Sequence, residues 1–143
     1  MLNVHETLKS LKYFIDNEYL KKYSLLVERN TRTKRFPTKT HKHHIVPKSW
    51  FKLMSIDCDN TLSNLVNLPV REHILAHYYL CLCTADPFMF ANQLALVVLQ
   101  TKFNLTAVDK QLLHSLPMYN NIYENYQIKI KDGFKLYEEK GKR

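Results

Sequence analysis

Two glycines in a chain of 143 residues, Gly133 and Gly141, constrain the fold more than any other feature. Glycine supplies the positive-φ positions of tight hairpin turns. Its scarcity argues against a sheet-dominated fold with many such turns, and against a glycine-rich loop that cradles phosphate at a helix start. What remains is a mostly helical chain. With 143 residues and 45% hydrophobic composition it is long and apolar enough for one domain, 1–143, with its own core.

Hydrophobic spacing places the elements. Leu8, Leu11, Phe14 and Ile15 fall on one helical face, continued by Tyr19, Leu20, Tyr23, Leu26 and Val27. Residues 1–30 therefore read as helix, with a break or kink at Asp16-Asn17. From 31 to 47, Thr31, Thr33, Thr38 and Thr40 alternate with charges, which favours extended backbone, and Pro37 restricts it to an edge. Residues 48–63 read as a loop anchored by Trp50, Phe51, Leu53, Met54 and Ile56. Asn64–Leu68 reads as a second strand, and Pro69 suits the opening of a helix over Val70–Cys83.

Asp86-Pro87 starts another helix to about Gln100, apolar nearly all round and so central. Thr106 and Asp109 start a short helix to His114. Pro117 opens a last one to about Lys140, with Tyr119, Tyr123, Tyr126, Ile130, Phe134 and Tyr137 as a packing stripe. The expected class is α+β, mostly helical. A central strand–loop–strand–helix unit over 31–84 lies between an N-terminal helical segment, 1–30, and C-terminal helices, 85–143.

Charge points to the partner. The net charge is +8, and between Arg29 and Lys48 there are seven basic residues and no acidic one. Such a run contacts phosphates through counterion release. Phe88–Leu99, the most apolar stretch, is too short to span a bilayer and holds Asn92 and Gln93, so no membrane role is expected. No secretory pattern is visible near His5, Glu6 and Lys9. The three cysteines, Cys58, Cys81 and Cys83, are odd in number and lack a Cys-x-x-Cys pair. The odd number, with no secretory segment, fits a reducing, cytoplasmic setting; the missing pair argues against a cysteine zinc ribbon, and Cys81 and Cys83 read as packing residues.

The basic run ends in His43-His44-Ile45-Val46-Pro47. On a strand, adjacent side chains point to opposite faces, so one ring can bind a metal while the other acts beside it. His73 and His77, at i and i+4 on a helix, point to one side and can chelate one ion. His5 and His114 lie outside this pattern and read as ordinary helix residues.

Together, His43-His44-Ile45-Val46-Pro47, Asn64-Leu65-Val66-Asn67-Leu68 and Arg71-Glu72-His73-Ile74-Leu75-Ala76-His77 resemble the HNH endonucleases of the ββα-metal (His-Me finger) superfamily, in the His-rich, colicin-like branch. The resemblance covers about 35 residues. It implies a ββα-metal unit within 31–84 whose first metal ligand is His43, whose helix-borne ligands are His73 and His77, and whose general base is His44. Asn64 matches the central asparagine that fixes the loop and steadies the base. The implied enzyme is a hydrolase that nicks or cuts DNA with a single divalent ion, leaving a 5′-phosphate and a 3′-hydroxyl. Three imidazoles favour zinc, nickel, cobalt or manganese over magnesium, which prefers oxygen ligands.

Arg35 and Lys39, by strand parity with His43, and Lys42, Lys48 and Arg71 are the candidate DNA contacts. The chain departs from the family in two places. His41 stands where an acidic residue is frequent, as a fourth histidine near the site or as a simple substitution, and the loop over 48–63 has no glycine. Glu72 reads as a surface residue or one behind the ligands. A phage or mobile-element setting suits such an enzyme, acting as monomer or homodimer. The alternatives are a nuclease on RNA or both nucleic acids, as a toxin or defence effector, and a non-catalytic zinc-stabilised DNA-binding module. A retained His44 favours catalysis over the latter.

Overall fold

The computed structural model describes residues 3–133. Helix α1 (Val4–Lys9) starts at Asn3, whose side chain accepts from the Glu6 N–H at 3.0 Å. The chain then leaves the helix earlier than its spacing predicts. The Ile15 N–H donates to the Cys83 carbonyl, and the Ala85 N–H to the Tyr13 carbonyl, both at 2.8 Å. Those bonds to a distant segment replace helical ones over 10–17. Consequently Phe14 is buried while Ile15 is 44% exposed, and the two do not share a face.

Helix α2 (Glu18–Arg32) begins where the sequence marks a break. The Asn17 side-chain oxygen accepts from the N–H groups of Tyr19 and Leu20, and its amide donates to the Leu82 carbonyl at 2.9 Å. One residue thus caps α2 and ties it to a helix 65 positions away. Leu20, Tyr23, Leu26 and Val27 form the buried stripe.

Two short strands follow, β1 (Thr40–His44) and β2 (Leu65–Pro69), paired antiparallel with His43 opposite Val66 and Lys42 opposite Asn67. The chain is α+β and mostly helical, as expected. The first strand is shorter than the extended stretch read from 31 to 47: α2 takes residues 31 and 32, and only 40–44 pair with β2. Nor is 48–63 all loop. Helix α3 (Lys48–Leu53) turns Trp50 and Phe51 into the core, and the Trp50 indole N–H donates to the Lys12 carbonyl at 2.9 Å. Leu53 and Met54 pack against the core, whereas Ile56 is 53% exposed and anchors nothing.

Helix α4 (Val70–Leu82) leaves β2 directly at Pro69. Helix α5 (Phe88–Lys102) is started by Asp86, whose carboxylate accepts from the Phe90 N–H at 3.1 Å and from the Lys129 ammonium at 2.8 Å. Thr106 caps α6 (Ala107–Ser115), accepting from the Asp109 N–H. Helix α7 (Tyr119–Lys131) follows Pro117 and Met118. Its aromatic stripe is only partly core: Tyr119 is buried, Tyr126 stacks on Phe90, and Tyr123 and Ile130 are exposed. Phe134, Tyr137 and the expected end near Lys140 lie outside the described residues.

Two apolar clusters hold these pieces together. One gathers α1, α2, the strands and α3 with Ala76, Leu80 and Cys83. The other gathers α5, α6 and α7 with Ile74, Tyr78 and Cys81. Helix α4 is buried on both sides, so Cys81 and Cys83 serve as packing, and burial pushes the Cys83 thiol up to about 12. Each fully buried aliphatic such as Ile74 or Leu80 contributes about 1.5–3 kcal/mol. Among the described residues no helix is long and apolar enough to cross a membrane.

Candidate metal centre

Strand alternation divides the double histidine. His41 and His43 turn inward, to 8% and 4% exposure, while Lys42 and His44 face outward. The inward rings meet His73 and His77, which the i, i+4 spacing of α4 brings to the side facing the strands. One ring nitrogen from each of His43, His73 and His77 lies within 4.8 Å of the others. The three rings expected to share a cation are therefore brought together, and the group could hold a metal ion.

Electrostatics suits that use. Burial, with the neighbouring rings adding to it, holds His43 well below the usual histidine range. Burial lowers His73 to about 2 and His77 to about 4. All three are neutral near pH 7, and a metal-ligating imidazole must be neutral.

The hydrogen-bond count leaves the group incomplete. His73 Nε2 lies 3.0 Å from His77 Nε2, and His73 Nδ1 lies 3.0 Å from His41 Nδ1. His77 Nδ1 is buried with no partner. Two nitrogens on one tetrahedral zinc, each about 2.0–2.1 Å from it, sit about 3.3–3.4 Å apart. The Nε2–Nε2 spacing is close to that. A cation there would satisfy two lone pairs that otherwise compete for one proton, so the residues fit a divalent ion. His73 would then keep its proton on Nδ1 and donate it to His41. His41 thus sits behind a ligand, stacked on Phe103 at 4.4 Å between ring centres, and is not in the three-ring group.

The outward ring has different company. His44 Nε2 lies 2.8 Å from the Asn60 side-chain oxygen. An amide oxygen only accepts, so Nε2 carries the proton and Nδ1 keeps its lone pair. Asn64 does not touch this ring. It is 1% exposed, its oxygen accepts from the Val46 N–H at 2.8 Å, and its amide donates to the carbonyls of Val46 and Asp59. It ties Val46, two residues after His44, to Asp59, the neighbour of Asn60.

The basic candidates Arg35, Lys39, Lys42, Lys48 and Arg71 are all exposed. The parity assigned to Arg35 and Lys39 does not hold, because β1 begins at Thr40 and the face shared with His43 is the buried one. Lys42 is the cation on the same strand face as His44. Arg29 pairs with Glu72 across α2 and α4, which settles Glu72 as a surface ion-pair partner. His5 bonds to Asp16 and His114 stacks on Tyr119, both away from the group.

Two contributors are not marked by the sequence: Tyr23 reads as one more core aromatic and Asn60 as a loop residue. Of the two readings open for His41, the structure bears out a fourth histidine near the site. Strand alternation placed His41 on the inner face. Nothing in the local pattern marks Tyr23, whose hydroxyl reaches His43. The chain matches no protein-family model, and no curated protein or solved structure matches it significantly.

Proposed function

We propose that this chain is a metal-dependent endonuclease of the HNH type, its β1–β2–α4 unit serving as a ββα-metal site that hydrolyses DNA phosphodiesters. One observation carries the reading: adjacent histidines are split between the two faces of β1. His43 joins His73 and His77 inside, and His44 stands outside with its Nδ1 lone pair left for a proton.

His43, His73 and His77 would hold the ion. When bound, it supplies charge neutralisation at the phosphoryl oxygens and at the departing 3′ oxygen. The chain's own residues do the rest. His44 Nδ1 accepts a proton from water, whose oxygen attacks phosphorus as the bond to the 3′ oxygen breaks. Asn60 fixes the His44 tautomer by accepting from Nε2. Lys42, on the His44 face, and Arg71, in the first turn of α4, offer positive charge to the backbone. The departing 3′ oxygen takes a proton from solvent water, and the products are a 5′-phosphate and a 3′-hydroxyl.

The test is cleavage of supercoiled plasmid with zinc, nickel, cobalt, manganese or magnesium, with and without chelator. Matched DNA and RNA substrates run beside it. The expected result is a nicked or linear plasmid that chelator abolishes. Cleavage of the RNA alone would transfer the activity to the other substrate, and no cleavage with any ion would remove it.

A further inference from the structure

Tyr23 is fully buried on α2, and its hydroxyl makes two contacts. It lies 2.7 Å from His43 Nε2 and 2.6 Å from the Ile45 carbonyl oxygen. A phenol has one proton, and a carbonyl oxygen can only accept. The proton therefore goes to Ile45, and the phenol oxygen accepts from His43 Nε2–H. The carbonyl is itself held. It belongs to the Ile45–Val46 peptide, whose N–H donates to the Asn64 side chain at 2.8 Å. Asn64, that peptide, Tyr23 and His43 form one continuous run of bonds, all buried.

We propose that Tyr23 is a positioning residue of the metal centre: its hydroxyl, braced through the Ile45–Val46 peptide by Asn64, holds His43 as the Nε2–H tautomer and leaves Nδ1 to bind the cation. The inference rests on the metal reading above and deepens it. It gives Asn64 a second task, at the ligand as well as at the loop. The partner of His43 is neutral, as is His41 behind His73, so neither ligand is backed by a carboxylate.

Removing such an outer partner typically costs 10–100-fold in metal affinity. Tyr23→Phe should therefore weaken zinc and cobalt binding by about that factor, read by competition with a chromophoric chelator. Val27→Ala, a packing change on the same buried helix face, should leave the affinity within about twofold while lowering stability. Were Nε2 the ligand atom, the hydroxyl would compete with the ion, and Tyr23→Phe would tighten binding; unchanged or tighter binding overturns the proposal.

Nitrogen-15 spectra of the metal-free wild-type protein read the His43 tautomer without any variant. Nε2–H supports the assignment and Nδ1–H overturns it, even where Tyr23→Phe fails to fold. A wild type that binds neither ion while showing Nε2–H would remove the metal reading and leave the Tyr23–His43 bond standing.

Discussion

The inner and outer faces of β1 carry adjacent members of one dipeptide and hold them in opposite conditions. Inside, His43 is desolvated, bonded to a buried phenol and ringed by two more imidazoles. Outside, His44 is half-buried beside an exposed asparagine and an exposed lysine. A single peptide bond separates a ring of the three-histidine group from one at the surface bonded to Asn60. The division comes from pleating alone, since a one-residue slip of register would exchange the two.

The contrast is broken most severely from the outer side. His44→Ala should lower plasmid cleavage by about 10²–10⁴-fold. Zinc affinity by titration calorimetry should stay within about twofold of wild type, and a joint loss would show that the faces are not separate. From the inner side, His73→Ala should remove zinc binding by about 100-fold or more, because it deletes a ligand and orphans both His41 and His77.

Next in size is the ion's effect on folding. Zinc at about 100 times its dissociation constant should raise unfolding stability by about 2.7 kcal/mol, seen as a higher denaturant midpoint. No such shift would mean that the three rings do not bind the ion in the folded state.

Acid sharpens the comparison. His77 is lowered to about 4 and His73 to about 2, chiefly by burial, so unfolding lets each take up a proton near its ordinary value of 6.5. Their contribution to metal-free stability is complete above pH 6.5 and is lost as pH falls from there, toward 4 for His77 and toward 2 for His73. Each ring steepens that loss by up to about 1.4 kcal/mol per pH unit. Denaturant titrations at pH 7.5, 6.0 and 5.0 should show it, and a flat profile would contradict the buried neutral rings. The smallest effect belongs to Lys42→Ala. DNA binding should weaken alike on all sequences, and the slope of log affinity on log salt should fall by about 0.9.

Much of this arrangement was legible beforehand because it rests on local periodicity. Alternation along β1 separated His43 from His44, and helical spacing paired His73 with His77. The helix start after Pro69 followed from proline chemistry, and the second strand from composition, although it begins one residue later than read because Asn64 ends a 3-10 turn over Leu62–Asn64. What was not legible depends on distant contacts. The early end of α1 comes from backbone bonds to Cys83 and Ala85, which no window around residue 10 contains. Helix α3 was hidden by its polar residues, although Trp50 and Phe51 needed an inward face. Tyr23 lies on a stripe where any large apolar residue would look the same, and its hydroxyl matters only once β1 is packed beside it. Asn60 acquires its task from the fold of the loop, not from its spacing.

The walls of the centre are drawn from far along the chain: Tyr23 on α2, His43 on β1, His73 and His77 on α4, and Phe103 at the end of α5, edge-on to His73. A polypeptide emerging from the ribosome presents His43 long before Phe103 has been synthesised. The edge-on cover that Phe103 lays over His73 is therefore added only after all three rings of the group have been made.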